Sequence, residues 1–117
     1  MILETIENKL KELDSNVFYG VVDDSMRETA WNYTVFNRRN LKSSTNKNGY
    51  NTVFSVHIIR ENYIPEGLEE DFIEKMLEIE GVRTASDGQY DYVMKPNTNI
   101  VVEMFSIDFV RARKKVI

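Results

Sequence analysis

The segment 50–60 constrains the fold more than any other part of the chain. Tyr50, Thr52, Phe54, Val56 and Ile58 fall on one face of an alternating pattern, and Val53, His57 and Ile59 on the other. A strand that is apolar on both faces is poorly served at a solvated edge, so it belongs in the middle of a sheet or at an interface. The segment 100–110 has the same character. Val101, Phe105, Ile107 and Phe109 share one face, and Ile100, Val102 and Met104 share the other.

The other elements arrange themselves around these two. Ile2, Leu3, Ile6, Leu10 and Leu13 recur at helical spacing with Glu4, Glu7, Lys11 and Glu12 opposite, which predicts a first helix ended by Asp14, Ser15 and Asn16. A short strand over 17–22 is broken by Gly20 and stopped by Asp23 and Asp24. Another over 30–36 places Trp31, Tyr33 and Val35 on one face and Asn32 and Thr34 on the other, with Trp31 read as a core residue. The polar tract 37–49 is a long loop or, given Asn48 and Gly49, a hairpin extension of its flanking strands. Pro65 and Gly67 announce a second helix over 68–79, with Leu68, Phe72, Met76 and Ile79 as its apolar stripe and Gly81 as its stop. A strand over 82–94, interrupted at Asp87 and Gly88, turns through Pro96, Asn97, Thr98 and Asn99 into the last one.

The order α-β-β-β-α-β-β predicts an α+β fold, a two-layer sandwich whose mostly antiparallel sheet carries two helices on one face. A chain of 117 residues suits a single domain over 1–117, with a basic C-terminal tail at 111–117. The start, Met1-Ile2-Leu3-Glu4, does not read as a signal peptide, and no window approaches the apolar length of a membrane span.

Chemistry is hard to find. With no Cys, thiolate metal sites, disulfides and cysteine nucleophiles are excluded together. The single histidine, His57, sits mid-strand between Val56 and Ile58 and reads as a packed or interface imidazole. Glu69, Glu70, Asp71, Glu74 and Glu78 fall mainly opposite the Leu68, Phe72, Met76 stripe and read as a solvated helix face. The five glycines are scattered and form no phosphate loop. The expectation is a protein without catalytic site, cofactor, metal or small-molecule substrate.

Charge is the more informative signal. The net charge of −4 hides two basic stretches without an acidic residue: Arg38, Arg39, Lys42 and Lys47, then Arg111, Arg113, Lys114 and Lys115. Segment 61–80 carries eight carboxylates against Lys75 alone. Such separation organises the approach of subunits or polyanions. The basic stretches suit either the acidic helix face of a neighbouring subunit or the phosphates of a nucleic acid, although a pI near 5.0 is far from a nucleic-acid footprint.

Four runs carry a family resemblance: YTVFNRR at 33–39, the strand from Tyr50 into VHIIRENYIPEG at 56–67, DGQYDYVMKPNT at 87–98 and VVEM at 101–104. Over residues 2–113 the chain resembles the small tail-completion proteins of siphophages and prophages of Gram-positive bacteria, the tail terminators and tail-to-head joining proteins. The resemblance implies a structural subunit of the virion tail end or neck, assembled in the host cytoplasm. It implies a ring, usually hexameric, that caps the tail tube and meets tube and connector proteins. Transferred to this sequence, loop 37–49 would face the tube or connector. Glu70, Glu74 and Glu78 would flank a channel through which DNA passes without sequence specificity. The alternatives are another neck or head-completion protein, or a small nucleic-acid-binding module using the basic loop and tail.

Overall fold

The computed structural model describes residues 1–22, 30–43 and 49–114, with Arg113 and Lys114 as backbone positions only. The elements are α1 (Ile2–Lys11), β1 (Val17–Tyr19), β2 (Tyr33–Ser43), β3 (Gly49–Glu61), α2 (Leu68–Leu77), β4 (Val82–Thr84), β5 (Gln89–Met94) and β6 (Val101–Lys114). The sheet order is β1-β2-β3-β6-β4, with β5 also on β6. β1 runs parallel to β2 and every other pair is antiparallel. This is the two-layer α+β arrangement the sequence predicts. β4 and β5 are the two halves of the strand read over 82–94, lying end to end along one side of β6.

The helices cover one face. Ile6 and Leu10 of α1 and Phe72 and Met76 of α2 join Phe36, Phe54, Val56, Ile58, Phe105, Ile107 and Phe109 in the main core. Burial of each such aromatic or branched side chain stabilises the fold by roughly 1.5–3 kcal/mol, so this layer dominates its energetics. The other face, here the open face, carries a smaller cluster of Val35, Ile59 and Val102, with Phe18, Val22, Trp31, Tyr33 and Met104 against it, and the buried pair Val53 and Val110. The alternation read in 50–60 and 100–110 holds. That of the preceding strand is inverted relative to expectation: Thr34 and Phe36 face the helices, while Trp31 sits half-buried on the open side.

Thr34 tolerates full burial because a polar network receives it. Its hydroxyl donates to Asp14 Oδ2 at 2.8 Å, and Arg60 donates to the same carboxylate at 2.9 Å. Arg60 also donates to the carbonyls of Tyr33 and Ile59. Asp14 therefore does more than end α1: it ties the turn after the helix to β2 and β3. The helices are joined by Lys9–Glu78 at 2.8 Å and Lys75–Glu12 at 3.3 Å, exposed pairs of small energetic weight.

Of the two readings of tract 37–49, the described part takes the hairpin extension: β2 continues to Ser43 and pairs with β3 as far as Ser43↔Tyr50. One boundary differs from the sequence reading. β6 continues to Lys114, paired with Gly49, so Arg111, Arg113 and Lys114 are strand positions and not a tail. Pairing with β3 holds both extensions, its ladder hydrogen bonds overriding a polar sequence with little strand propensity. Asp23, Asp24, Lys47 and Lys115 lie outside the described residues.

Candidate functional site

These two extensions have a joint consequence. β2 and β6 both flank the first part of β3, with Lys42↔Asn51↔Ala112 and Leu41↔Thr52↔Arg111 aligned across three strands. The basic stretches, remote in sequence, therefore meet on one three-stranded arm. The chain extends 54 Å along its long axis and only 26 and 23 Å across it. Its radius of gyration is 15.5 Å, against about 13 Å for a compact chain of this length.

The arm's cations are used differently. Arg38 lies on the helix side, donates from Nε to the Tyr19 hydroxyl at 3.0 Å, and shares a recess of about 50 Å3 with Ile2, Thr52, Phe54 and Arg111. Arg39 sits at a bulge, where the β2–β3 register shifts between Arg38 and Asn40, and points to the open side. There it binds Asp108, which also accepts from Ser55 Oγ at 2.6 Å. Arg39 thus pins the base of the arm. Lys42 makes no hydrogen bond or ion pair among the described residues and is the cation most available to a partner.

The acidic helix face divides in the same way. Glu70 and Glu74 are exposed, whereas Glu78 is engaged with Lys9 and Lys75 in the seam between the helices. The sequence gives no sign of this difference. Glu69, expected on the same solvated face, is instead half-buried, and its Oε2 accepts from the Tyr90 hydroxyl, bringing α2 against β5. That carboxylate pushes the Tyr90 phenol up to about 12. Beside it the Tyr92 hydroxyl donates to Glu103 Oε2 at 2.8 Å, which raises that phenol as well, while Glu103 Oε1 accepts from the backbone of Ile64 at 2.7 Å.

β5 itself is an unusual strand. All six residues are exposed, among them Tyr90, Tyr92, Val93 and Met94, and among the described residues its only strand partner is β6. Natural edges are commonly blunted by Lys, Pro or a bulge. β5 has none of these, and Asp91 is its one charged residue.

His57 stands on the open face with Nδ1 2.7 Å from Ser106 Oγ and Nε2 3.2 Å from Asn37 Oδ1. Burial lowers its pKa, and the nearby Asp108 charge opposes that shift. Proximity of Ser and His alone does not make a nucleophile. Ser106 is paired with His57 on one side and Gln89 on the other, so the amides around it belong to the ladder and offer no oxyanion site. The trio is a cross-strand polar tie. At the end of the same face Lys95 donates to Glu61 at 2.8 Å, holds that carboxyl below its usual range, and lies 5.7 Å from the Trp31 ring centre. Among the described residues no three His, Asp or Glu side chains gather as a metal ion requires.

No protein-family model matches the chain, and no curated protein is significantly similar to it. The functional reading therefore rests on the residues and their arrangement.

Proposed function

We propose that the chain is a non-enzymatic assembly subunit, and that the assembly is the ring closing a bacteriophage tail, as a terminator or tail-to-head joining protein. The observation that carries the assembly reading is the opposition of two features: a basic arm projecting at one end, and an unprotected acidic and aromatic strand edge at the other. A free strand edge is a template for pairing with another chain. The phage-tail context comes from the resemblance in runs 33–39, 56–67, 87–98 and 101–104. In that setting the ring would meet tube and connector proteins, with Glu70 and Glu74 available to repel passing DNA.

The test is negative-stain microscopy of the concentrated protein, alone and with tail tubes of the parent phage. Closed rings with a central hole, or caps on tube ends, are the expected result. Dispersed particles and bare tube ends would contradict it.

The convergence of Arg38, Lys42 and Arg111 on one arm favours a second reading, a nucleic-acid-binding module. It predicts DNA affinity that falls steeply with salt and drops when Arg38, Arg39 and Lys42 become Ala. The assembly reading predicts little affinity for DNA.

A further inference from the structure

Both long sides of the sheet are partly closed, and the open parts lie diagonally opposite. On one side β1 covers β2 only over Thr34–Phe36 (Val17↔Thr34, Tyr19↔Phe36), so β2 beyond Phe36 has no strand partner on that side among the described residues. On the other side β4 takes β6 near Phe109 and Arg111, while β5 forms the outer edge from Gln89 to Met94. The two open edges are chemically opposite. Beyond Phe36, β2 reads Asn-Arg-Arg-Asn-Leu-Lys-Ser, with no acid. β5 carries Asp91 and lies beside Glu69 and Glu103.

Direction permits their union. β5 is antiparallel to β6, β6 to β3 and β3 to β2, so β5 and β2 run oppositely within one copy. A second copy in the same orientation, set beside the first, therefore offers its β2 antiparallel to the first copy's β5. The bulge between Arg38 and Asn40 confines regular pairing to the four residues 40–43. The pleat then restricts the register, because a slip of one residue would send each side chain to the wrong face. Leu41 and Ser43 belong to the helix side, through Thr52 and Tyr50, and Asn40 and Lys42 to the open side. On β5, Tyr90 and Tyr92 are on the helix side and Asp91 and Val93 on the open side. One alignment satisfies both charge and apolar contact: Leu41 opposite Tyr92, Lys42 opposite Asp91, Ser43 opposite Tyr90 and Asn40 opposite Val93.

We infer that copies of this chain join head to tail by sheet extension, residues 40–43 of one lying antiparallel against residues 90–93 of the next, with Lys42 paired to Asp91. The inference rests on the assembly reading and names its contact. It gives Leu41, 57% exposed, and Tyr92, 63% exposed, a common covering. The diagonal placement of the edges staggers neighbouring copies along their strands, so the contact is heterologous and closes into a ring when the strands incline to the ring axis.

The experiment is a charge exchange on the full chain. Self-association is measured by light scattering during size-exclusion chromatography, and far-UV circular dichroism confirms the fold. Lys42→Asp and Asp91→Lys should each weaken association roughly tenfold, because a paired charge becomes a like-charge contact across the strands. The double variant should recover the parent's association, as should an equimolar mixture of the single variants by alternating copies. Leu41→Asp should weaken association in every background. If the parent assembles and neither single variant weakens it, this contact is wrong while the assembly reading survives. Weakening by both without rescue by the double overturns the register. A parent that stays monomeric at every concentration overturns the contact and the assembly reading together.

Discussion

Replacing Gly88 by Ala should destabilise the fold through one identifiable collision. A Cβ at position 88 would lie 2.2 Å from Cζ and 2.3 Å from Cε1 of Phe105, more than 1 Å inside ordinary contact. The ring cannot readily swing away: Phe105 is buried and stacks at 5.0 Å, tilted by 56°, against Tyr90. Overpacking of this kind costs about 1–3 kcal/mol. For a chain of 117 residues the unfolding entropy is about 0.25 kcal/mol/K. The melting temperature should therefore fall by roughly 4–12 °C. The assay is thermal and urea unfolding of Gly88→Ala in the parent and in a Phe105→Leu background, where the colliding ring atoms are gone. The Ala substitution should cost less than about 0.5 kcal/mol in the second background, the difference being the coupling of the two positions. Equal costs in both backgrounds, or no cost in the parent, would refute the reasoning. The position bears on function because Gly88 lies immediately before β5 and its close approach seats that strand on β6.

Arg60→Ala should cost about 3–5 kcal/mol by urea denaturation, since it removes the cation paired with the largely buried Asp14 carboxylate and leaves it only the Thr34 hydroxyl and the Asn16 amide as donors. Thr34→Val should cost about 1.5–3 kcal/mol, because it removes a buried hydrogen bond to that charged group. His57 makes a pH-dependent contribution. Its folded pKa is lowered by burial, so the unfolded chain binds the proton first as pH falls, and stability drops from about pH 6.5 downwards. The urea midpoint of His57→Gln should show a shallower loss than the parent between about pH 7 and 5.5, a window set by the ordinary imidazole value. A parallel loss in the two proteins would show that the imidazole is not responsible.

Much of the fold was legible because its strongest strands are regular. Positions 54, 56 and 58 and positions 105, 107 and 109 alternate cleanly, and their core face follows. The helices announce themselves through Ile6, Leu10, Phe72 and Met76. β2 was harder, for two reasons. The Trp31, Tyr33, Val35 face looks more apolar than the Thr34, Phe36 face, yet Thr34 is buried because Asp14, twenty residues earlier, accepts a hydrogen bond from its hydroxyl. Beyond Phe36 the strand has almost no apolar residue and exists because β3 pairs with it.

The candidate interface divides similarly. The basic residues were visible as two clusters, but their meeting depends on β3 lying between β2 and β6, a fact of topology. Tyr90, Asp91 and Tyr92 gave no signal of their own. A strand's sequence does not say that it ends a sheet, and only the strand order makes β5 an edge. The place of Glu78 in the seam between the helices, rather than on the solvated face of α2, likewise depends on Lys9 of α1 packing beside it.

The central claim is that this chain acts by assembling with copies of itself. Light scattering coupled to size-exclusion chromatography, from micromolar to millimolar chain at physiological salt, tests it most directly. The account predicts a mass that rises with concentration towards a fixed multiple of 13.7 kDa, the end point of a closed ring. A constant 13.7 kDa across the range would contradict it.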